Sequence, residues 1–183
     1  MGSPFFILSN KGESQIIVTK SSPILVPKSL FDLGHIEDYL RMQYDVSKAG
    51  HILQDEIEDY ISVSYLDKTE NDCLTQLEPR HYQHITTFLY NILHRAIADK
   101  AANCLCLSIQ DECIHFFLEK DNRLLLVNDI AITSDYDILY HSLNILKQYG
   151  LDPDNCVVYL HNGSDSLAEL LSEYTDVTLL KLT

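Results

Sequence analysis

Hydrophobic and polar positions alternate most clearly between residues 103 and 160. Three short runs rich in β-forming residues occupy 104–109, 114–118 and 124–127, and polar residues separate them. Short runs bounded by turn residues predict an antiparallel three-stranded meander. Its turns are expected at residues 110–112 and 119–122.

Helical spacing of hydrophobic residues precedes the meander. The stretch from Pro79 to about Asp99 is predicted to be a long helix, because proline is well tolerated in a first helical turn and an apolar stripe follows it. The stripe comprises Ile85, Phe88, Leu89, Ile92, Leu93 and Ala96.

A second helix is predicted over residues 134–149, with strong signals at both ends. Ser134 and Asp137 have the spacing of a capping box, with Asp in place of the usual Glu. Gly150 has the position of a left-handed C′ residue, and Pro153 prevents continuation. Its apolar face is expected to comprise Tyr136, Leu139, Tyr140, Leu143, Leu146 and Tyr149.

The chain is predicted to close with a strand at 156–160, a turn at 161–165, a helix and a last strand at 177–182. The inner face of that helix is expected to comprise Leu167, Leu170, Leu171 and Tyr174. From Pro79 onward the predicted order is α-βββ-α-β-α-β. This order is typical of an α/β protein whose mixed sheet is flanked by helices.

The first part of the chain is less regular. Strands are predicted at residues 5–8, 14–19, 23–26, 52–57 and 61–65, with a short helix at 35–44. Ser62 and Ser64 alternate with hydrophobic residues, which predicts one buried and one solvated face. The polar stretch 67–73 predicts a boundary between a first domain, 1–72, and a second, 73–183.

Composition limits the possible partners. The chain has 183 residues and a formal net charge of −14, with 13 Lys and Arg against 27 Asp and Glu. The basic residues are scattered, whereas a nucleic-acid surface needs them clustered, so we expect no nucleic-acid partner. No run approaches the roughly 18 apolar residues of a membrane span, and no signal peptide is evident. We therefore expect a soluble cytoplasmic protein without membrane insertion.

Two sets of side chains have the chemistry of metal ligands, but each has a simpler interpretation. Cys104, Cys106 and Cys113 have no second spaced pair of the kind that structural zinc sites use, and we expect buried hydrophobic residues in a reducing compartment. His81 and His84 lie three apart on the predicted long helix, with His94 further along. We expect these histidines to be solvated, and we predict no metal site.

Catalytic motifs are also lacking. Asp111, Asp129, Asp135 and Asp137 would suit a two-metal nuclease, but the last two fall in a first helical turn and the acidic surface disfavours nucleic acid. A Gly-x-Ser-x-Gly nucleophile elbow is not present. We predict no catalytic residue.

Several segments in order resemble a known family. They are PILVPKSLFD at 23–32, LLLVND at 124–129, DYD at 135–137, LNILKQYGLD at 143–152 and VYLHNG at 158–163. Over roughly residues 13–183 the chain resembles an uncharacterised bacterial domain-of-unknown-function family with an actin-like ATPase, ribonuclease-H-like fold. The resemblance implies two related lobes around a cleft. Here the second lobe is expected to be complete and the first to be abbreviated before Pro23.

The resemblance also indicates where a nucleotide would bind. Active members of the superfamily hold phosphates on Asp-x-Gly-Thr hairpin turns and adenosine on a Gly-Gly turn before a helix. The corresponding hairpin turn here contains Asp111 but no glycine, and the turn Asn162, Gly163 and Ser164 keeps one glycine. These four residues are the candidate nucleotide ligands.

Two functions follow as hypotheses. The first is a non-catalytic module that binds or assembles with a protein partner, uses no cofactor and exploits a groove between the lobes. The alternative is a switch that binds ATP with Mg²⁺ and hydrolyses it weakly or not at all. The sequence leaves the partner and the oligomeric state open.

Overall fold

A computed structural model describes residues 5–10, 13–19, 22–69, 72, 81–97, 100–110 and 112–181. Its strands are β1 (Phe5–Asn10), β2 (Glu13–Val18), β3 (Ile24–Pro27), β4 (Ala49–Ile57), β5 (Tyr60–Asp67), β6 (His81–His84), β7 (Cys104–Gln110), β8 (Cys113–Lys120), β9 (Arg123–Ala131), β10 (Val157–His161) and β11 (Asp176–Leu180). Its helices are α1 (Ile36–Arg41), α2 (Ile85–Ala96), α3 (Asp135–Gln148) and α4 (Asp165–Ser172). Among the described helices, none is both long enough and apolar enough to cross a lipid bilayer.

The chain divides into two compact units, Met1–Asn91 and Ile92–Thr183, and the division falls inside α2. The sequence predicts a lobe boundary between residues 72 and 73, within the polar stretch 67–73. A division by compactness and a division by lobe topology need not coincide. The lobes 1–72 and 73–183 therefore stay a prediction.

The second unit contains a five-stranded mixed sheet with the order β11-β10-β7-β8-β9. Strands β7, β10 and β11 are parallel, and β8 and β9 join antiparallel as the predicted meander. The order of elements after α2 is the one that the sequence predicted. Strand β9 runs to Ala131, four residues beyond its predicted end.

One face of this sheet forms the core of the second unit. The largest buried side chains are Phe116 from β8 and Leu105 and Leu107 from β7, and Ile138, Leu146, Leu167 and Leu171 of α3 and α4 pack against them. Each buried side chain of this size contributes about 1.5–3 kcal/mol relative to an exposed one. Burial of Leu167 and Leu171 therefore holds α4 against the sheet, with Leu160 of β10 in the same core.

The capping prediction for α3 is confirmed at both ends. Ser134 Oγ accepts a hydrogen bond from Asp137 N at 3.2 Å, and Asp137 Oδ2 accepts one from Ser134 N at 3.0 Å. At the other end Gly150 has φ 64°, Gly150 N donates to Lys147 O, and Leu151 N donates to Leu146 O. These two bonds form a Schellman motif.

The predicted apolar face of α3 is wrong in part. Tyr136 and Tyr140 are 72% and 64% exposed, whereas Ile138, Ser142 and Ile145 are buried. Tyrosine counts as apolar in a periodicity argument, but its ring with a polar tip is stable at the surface. The helix is rotated to bury the aliphatic residues.

The turn between β8 and β9 is shorter than predicted. Glu119 and Lys120 belong to β8, and Glu119 is buried. The turn consists of Asp121 and Asn122, with φ 52° and 59°. Positive φ at both central residues is the signature of a tight type I′ hairpin, for which Asp and Asn are well suited.

The first unit contains two three-stranded sheets, β1-β2-β6 and β3-β5-β4. The prediction that Ser62 and Ser64 face solvent is wrong, because both are buried. Strand β5 is central in its sheet and is covered on both faces. Val63 packs with Leu40 of α1 on one side, and Leu66 packs with Ile16 and Val18 of β2 on the other.

The long helix begins later than predicted. His81 and His84 lie on β6, which pairs in parallel with β2, and His84 is buried rather than solvated. Pro79 lies outside the described residues. The partner of β6 is more than sixty residues earlier in the chain, so local periodicity could not reveal the strand. Helix α1 is likewise shorter than its predicted 35–44 span.

Candidate functional site

The structure places the predicted turn after β10 beside the end of β7 in the sheet of the second unit. Strands β7 and β10 are parallel neighbours, and His161 is in register with Ser108. Asn162, directly after β10, donates from Nδ2 to Ile109 O of β7 at 3.4 Å. Asn162 has φ 57°, a left-handed conformation that asparagine tolerates better than most residues. Asp111 lies outside the described residues.

Gly163 is required by packing. A β-carbon at this position would lie 2.4 Å from Leu160 Cδ2 and 2.5 Å from Leu160 Cγ. Leu160 is fully buried in the core of the second unit. The glycine is therefore explained by the close approach of the turn to the core, without a ligand.

Ser164 is the N-cap of α4. Its Oγ accepts a hydrogen bond from Leu167 N at 3.1 Å, and its carbonyl oxygen accepts one from Ala168 N at 3.1 Å. Asp165 lies in the first turn, where a negative charge interacts favourably with the helix dipole. The positive end of this helix is thus already neutralised by the chain itself.

A shallow depression of about 320 Å³ lies beside this turn. Asn162 and Gly163 line it, together with Asp165 and Lys181. Two of the four predicted ligands therefore face a concave surface, while Ser164 does not line it. Lys181 supplies a cation there that the sequence prediction did not include.

The hairpin between β7 and β8 has no described group that would favour a phosphate. Gln110 pairs with Cys113, and Glu112 is exposed in the turn. Glycine would let backbone amides approach a phosphate closely, and this turn has none.

A row of polar side chains crosses the sheet near the C-terminal ends of β7 and β10. Sequence reasoning missed this row. Asp129, His115, Ser108 and His161 are register partners on the adjacent strands β9, β8, β7 and β10. His115 Nδ1 is 2.6 Å from Asp129 Oδ1, and Ser108 Oγ is 2.9 Å from His161 Nδ1. Only the strand register reveals the row, because its members are scattered over more than fifty residues.

The row has the residue types of a Ser-His-Asp hydrolase but not the accessibility. Ser108 is 0% exposed, so its hydroxyl cannot reach a substrate. Burial lowers the pKa of His161, so the imidazole is neutral at pH 7 and acts as a hydrogen-bonding partner of Ser108. The arrangement satisfies buried polar groups.

The structure also shows the surroundings of the other Asp and His residues that the sequence analysis considered as ligands. Asp137 caps α3, Asp129 binds His115, and Asp135 is exposed. His94 Nδ1 lies 3.7 Å from Glu119 Oε1, and Lys100 pairs with the same carboxylate. His94 therefore lies in a polar cluster with Glu119 and Lys100 and is not merely solvated.

The described cysteines are free thiols. Cys104, Cys106 and Cys156 are buried, and Cys113 is partly buried. Burial raises the pKa of Cys113 to about 11 and that of Cys156 to about 12. Thiols with such pKa values are protonated at neutral pH and are poor nucleophiles and metal ligands.

Comparisons with solved structures show the fold. A protein from Bacteroides thetaiotaomicron VPI-5482, described as having an actin-like ATPase fold and unknown function, matches with a TM-score of 0.75 and 17% identity, over 91% of this chain and 67% of that one. A chain of the PilM–PilN type IV pilus biogenesis complex matches with a TM-score of 0.59 and 13% identity, over 94% of this chain and 70% of that one. The chain thus has an actin-like ATPase fold.

Sequence comparison shows the family. No curated protein has a sequence that matches this chain. The model of the family described as "Protein of unknown function (DUF3822)" matches residues 9–176, and the chain belongs to that family.

Proposed function

We propose that this chain is a non-catalytic binding or assembly module built on the actin-like ATPase fold. The observation that carries the proposal is the internal use of the turn after β10. Asn162 is tied to β7, Gly163 packs on Leu160, and Ser164 caps α4. All three residues of this turn that the family resemblance would assign to a nucleotide already have a structural role.

Electrostatics support the proposal. Asp111 and Glu112 place two acids in the turn where the resemblance would seat the phosphates. Two like charges about 4 Å apart repel by about 4 kcal/mol at an effective dielectric of about 20. These acids would repel a triphosphate bound at this turn. The turn has no glycine that would let backbone amides approach the phosphates and offset the repulsion.

A protein is the partner class that fits best. One structural neighbour was captured as the PilM–PilN type IV pilus biogenesis complex, an assembly of different chains. Folds persist while sites are replaced, so a scaffold with the same architecture is a natural use of this chain. The excess of acids over bases supports a protein rather than a nucleic acid as partner.

We also place the module in the cytoplasm. Four cysteines in the described part of the chain are unpaired, although Cys104 and Cys106 are neighbours on one face of β7. Reduced thiols are typical of a compartment kept reducing by cellular thiols.

The competing function is an ATP-dependent switch. One observation favours it: the depression beside Asn162 and Gly163 has Lys181 on its wall. A phosphate could reach this cation without using the hairpin between β7 and β8. The alternative is therefore specific enough to test.

Titration with ATP and Mg²⁺, followed by thermal shift and by calorimetry, separates the two functions. We expect no saturable change up to millimolar nucleotide, because the polar groups of the turn are already bonded. A saturable shift that is lost in both Asp111→Ala and Lys181→Glu would overturn the proposal. Gly163 is unsuitable as a probe, because any side chain there collides with Leu160.

The titration includes one control variant and one additional measurement. Asp154→Ala changes an exposed acid outside the depression and should leave the titration unchanged. Phosphate release measured on the same samples distinguishes a switch that hydrolyses ATP from one that only binds it.

A further inference from the structure

Strand β11 forms one edge of the second unit's sheet. It pairs with β10 on one side, and no described strand pairs with its other side. Asp176, Thr178 and Leu179 are exposed along it. An unpaired edge presents backbone N–H and C=O groups that can bind an additional strand.

A groove of about 550 Å³ lies between this edge and α4. Its lining residues are Asp165, Ala168, Glu169, Ser172, Glu173 and Leu179. Asp165 and Leu179 also line the depression beside Asn162, so the two concavities are neighbours on one surface. Strand β11 has five residues, so this edge matches an extended segment of similar length.

The groove carries an unbalanced negative charge. Asp165, Glu169 and Glu173 are spaced four apart on α4 and are exposed, and none makes an ion pair with another described residue. Like charges at this spacing destabilise a helix, and Glu173 is at the C-cap, where the dipole disfavours an anion. A cationic ligand would relieve both costs.

The floor of the groove is apolar. Leu179 is 39% exposed and is in register with Leu160, on the face of the sheet that α4 covers. Ala168 of α4 lies opposite and is partly buried. The aliphatic stem of a Lys or Arg side chain on this face would bury the apolar area.

The spacing of the carboxylates matches an added strand. Residues four apart on a helix are separated by about 6 Å along its axis. Alternate residues of a strand, which point to the same face, are separated by about 6.6 Å. Three alternate cations of a strand beside β11 would therefore lie at nearly the same intervals as Asp165, Glu169 and Glu173.

We propose that the α4–β11 groove binds an extended segment of a partner protein, which adds to β11 as a further strand. Lys or Arg at alternate positions of the segment face the three carboxylates, and the aliphatic stem of one of them covers Leu179. Main-chain hydrogen bonds supply affinity and the alternating charges supply specificity. This inference rests on the proposed binding function and names the chemistry of the partner.

The test uses the whole chain and a fluorescein-labelled heptapeptide of alternating Lys and Val, followed by fluorescence anisotropy. The double variant Glu169→Lys/Glu173→Lys reverses the groove charge. The matched control, Asp135→Lys/Asp154→Lys, makes the same charge change at exposed acids elsewhere. We expect the groove variant to bind at least about tenfold more weakly than the wild type and the control to stay within about twofold. Circular dichroism establishes that both variants are folded.

Two modified peptides test strand addition itself. One carries N-methyl groups on the Lys residues and the other on the Val residues, so each blocks the N–H groups along one edge. In an added strand only one edge pairs with β11, and only one of these peptides should lose binding. Equal binding by wild type and groove variant, no binding at millimolar peptide, or equal behaviour of the two N-methyl peptides would each overturn the proposal.

The outcome is independent of the nucleotide titration. Peptide binding together with saturable ATP binding would reject the proposed non-catalytic function and keep the groove. Absence of both would reject the groove and leave the proposed function standing.

Discussion

At the residue scale, Gly163 shows that core packing and nucleotide binding can each require a glycine at the same position. A glycine before a helix is a familiar feature of nucleotide sites, where it lets the backbone approach a phosphate. In this chain its missing β-carbon makes room for Leu160, a core residue. The same sequence signal therefore has an internal cause here.

We predict that Gly163→Ala destabilises the chain by about 1–3 kcal/mol, the usual cost of overpacking a well-filled core. Urea denaturation at neutral pH measures the change. Gly150→Ala is the matched control, because a β-carbon there meets nothing within 4 Å and the cost arises only from φ 64°. That backbone cost is about 1–2 kcal/mol.

Replacement of Leu160 separates the two mechanisms. Leu160→Ala should reduce the additional cost of Gly163→Ala, since it removes the atoms that collide. It should not change the cost of Gly150→Ala. Independent, additive effects of Gly163→Ala and Leu160→Ala would contradict this account of the turn.

At the element scale, helix α2 is capped by a strand from elsewhere in the first unit. Asp55 of β4 accepts a hydrogen bond from His84 N at 2.8 Å, immediately before the helix. His84 Nδ1 accepts one from Thr86 N at 3.2 Å, so the first helical turn is bonded by side chains. Burial raises the pKa of the Asp55 carboxyl, and the bond from His84 opposes that rise.

We predict that Asp55→Ala costs about 1–3 kcal/mol, because it leaves a buried N–H without its acceptor. Asp55→Asn keeps an acceptor oxygen and removes the buried charge, so at pH 7 it should match or exceed the stability of the wild type. Glu56→Ala, at the exposed neighbour on β4, should change stability by less than about 0.5 kcal/mol.

The pH dependence has a definite sign. A carboxyl whose folded-state pKa is raised favours the folded state when it is protonated. The wild type therefore loses stability as pH rises from the ordinary Asp value of about 4 through the raised pKa. The advantage of Asp55→Asn should shrink as pH falls through the raised pKa toward about 4. An advantage that is equal at pH 4 and pH 7 would contradict the raised pKa.

At the scale of the whole molecule, the net charge of −14 is the dominant global property. Charges of one sign repel through solvent and weaken the compact state, and added salt screens that repulsion. We predict that Tm rises by about 2–4 °C from low to high sodium chloride, equivalent to about 1 kcal/mol in a chain of this length. Scanning calorimetry measures it.

The control uses the same protein near its isoelectric point of about 4.7. The net charge is then close to zero, so screening has little to act on and the salt effect should shrink. A salt effect of equal size at neutral pH and near the isoelectric point would indicate ion-specific binding or a general hydrophobic effect of salt.

The elements that the sequence predicted best are those held by local interactions. The Ser134 cap, the Gly150 stop and the meander from β7 to β9 depend on residues close in the chain. The elements that it missed depend on distant partners. Strand β6 exists because β2 pairs with it, and Ser62 and Ser64 are buried because β5 is covered on both faces.

The features of the candidate site also divide into those that adjacent residues reveal and those that depend on distant partners. The sequence could identify the turn Asn162–Gly163–Ser164 and the absence of glycine from the hairpin, because both are read from adjacent letters. It could not reveal the row from Asp129 to His161 or the acidic groove beside β11. Those features join residues from separate strands and a helix, and only their register places them together.

By itself, then, the sequence determined the α-βββ-α-β-α-β order, the ends of α3 and the acidity of the surface. Hydrogen bonds within a turn, periodic burial and the count of charges are all fixed by residues near one another or by simple totals. Tertiary structure alone determined that Gly163 leaves room for Leu160 and that Ser108 is buried. It also determined that three carboxylates line a groove beside the edge strand β11. Those facts arise from contacts between distant segments, which exist only after the chain has packed.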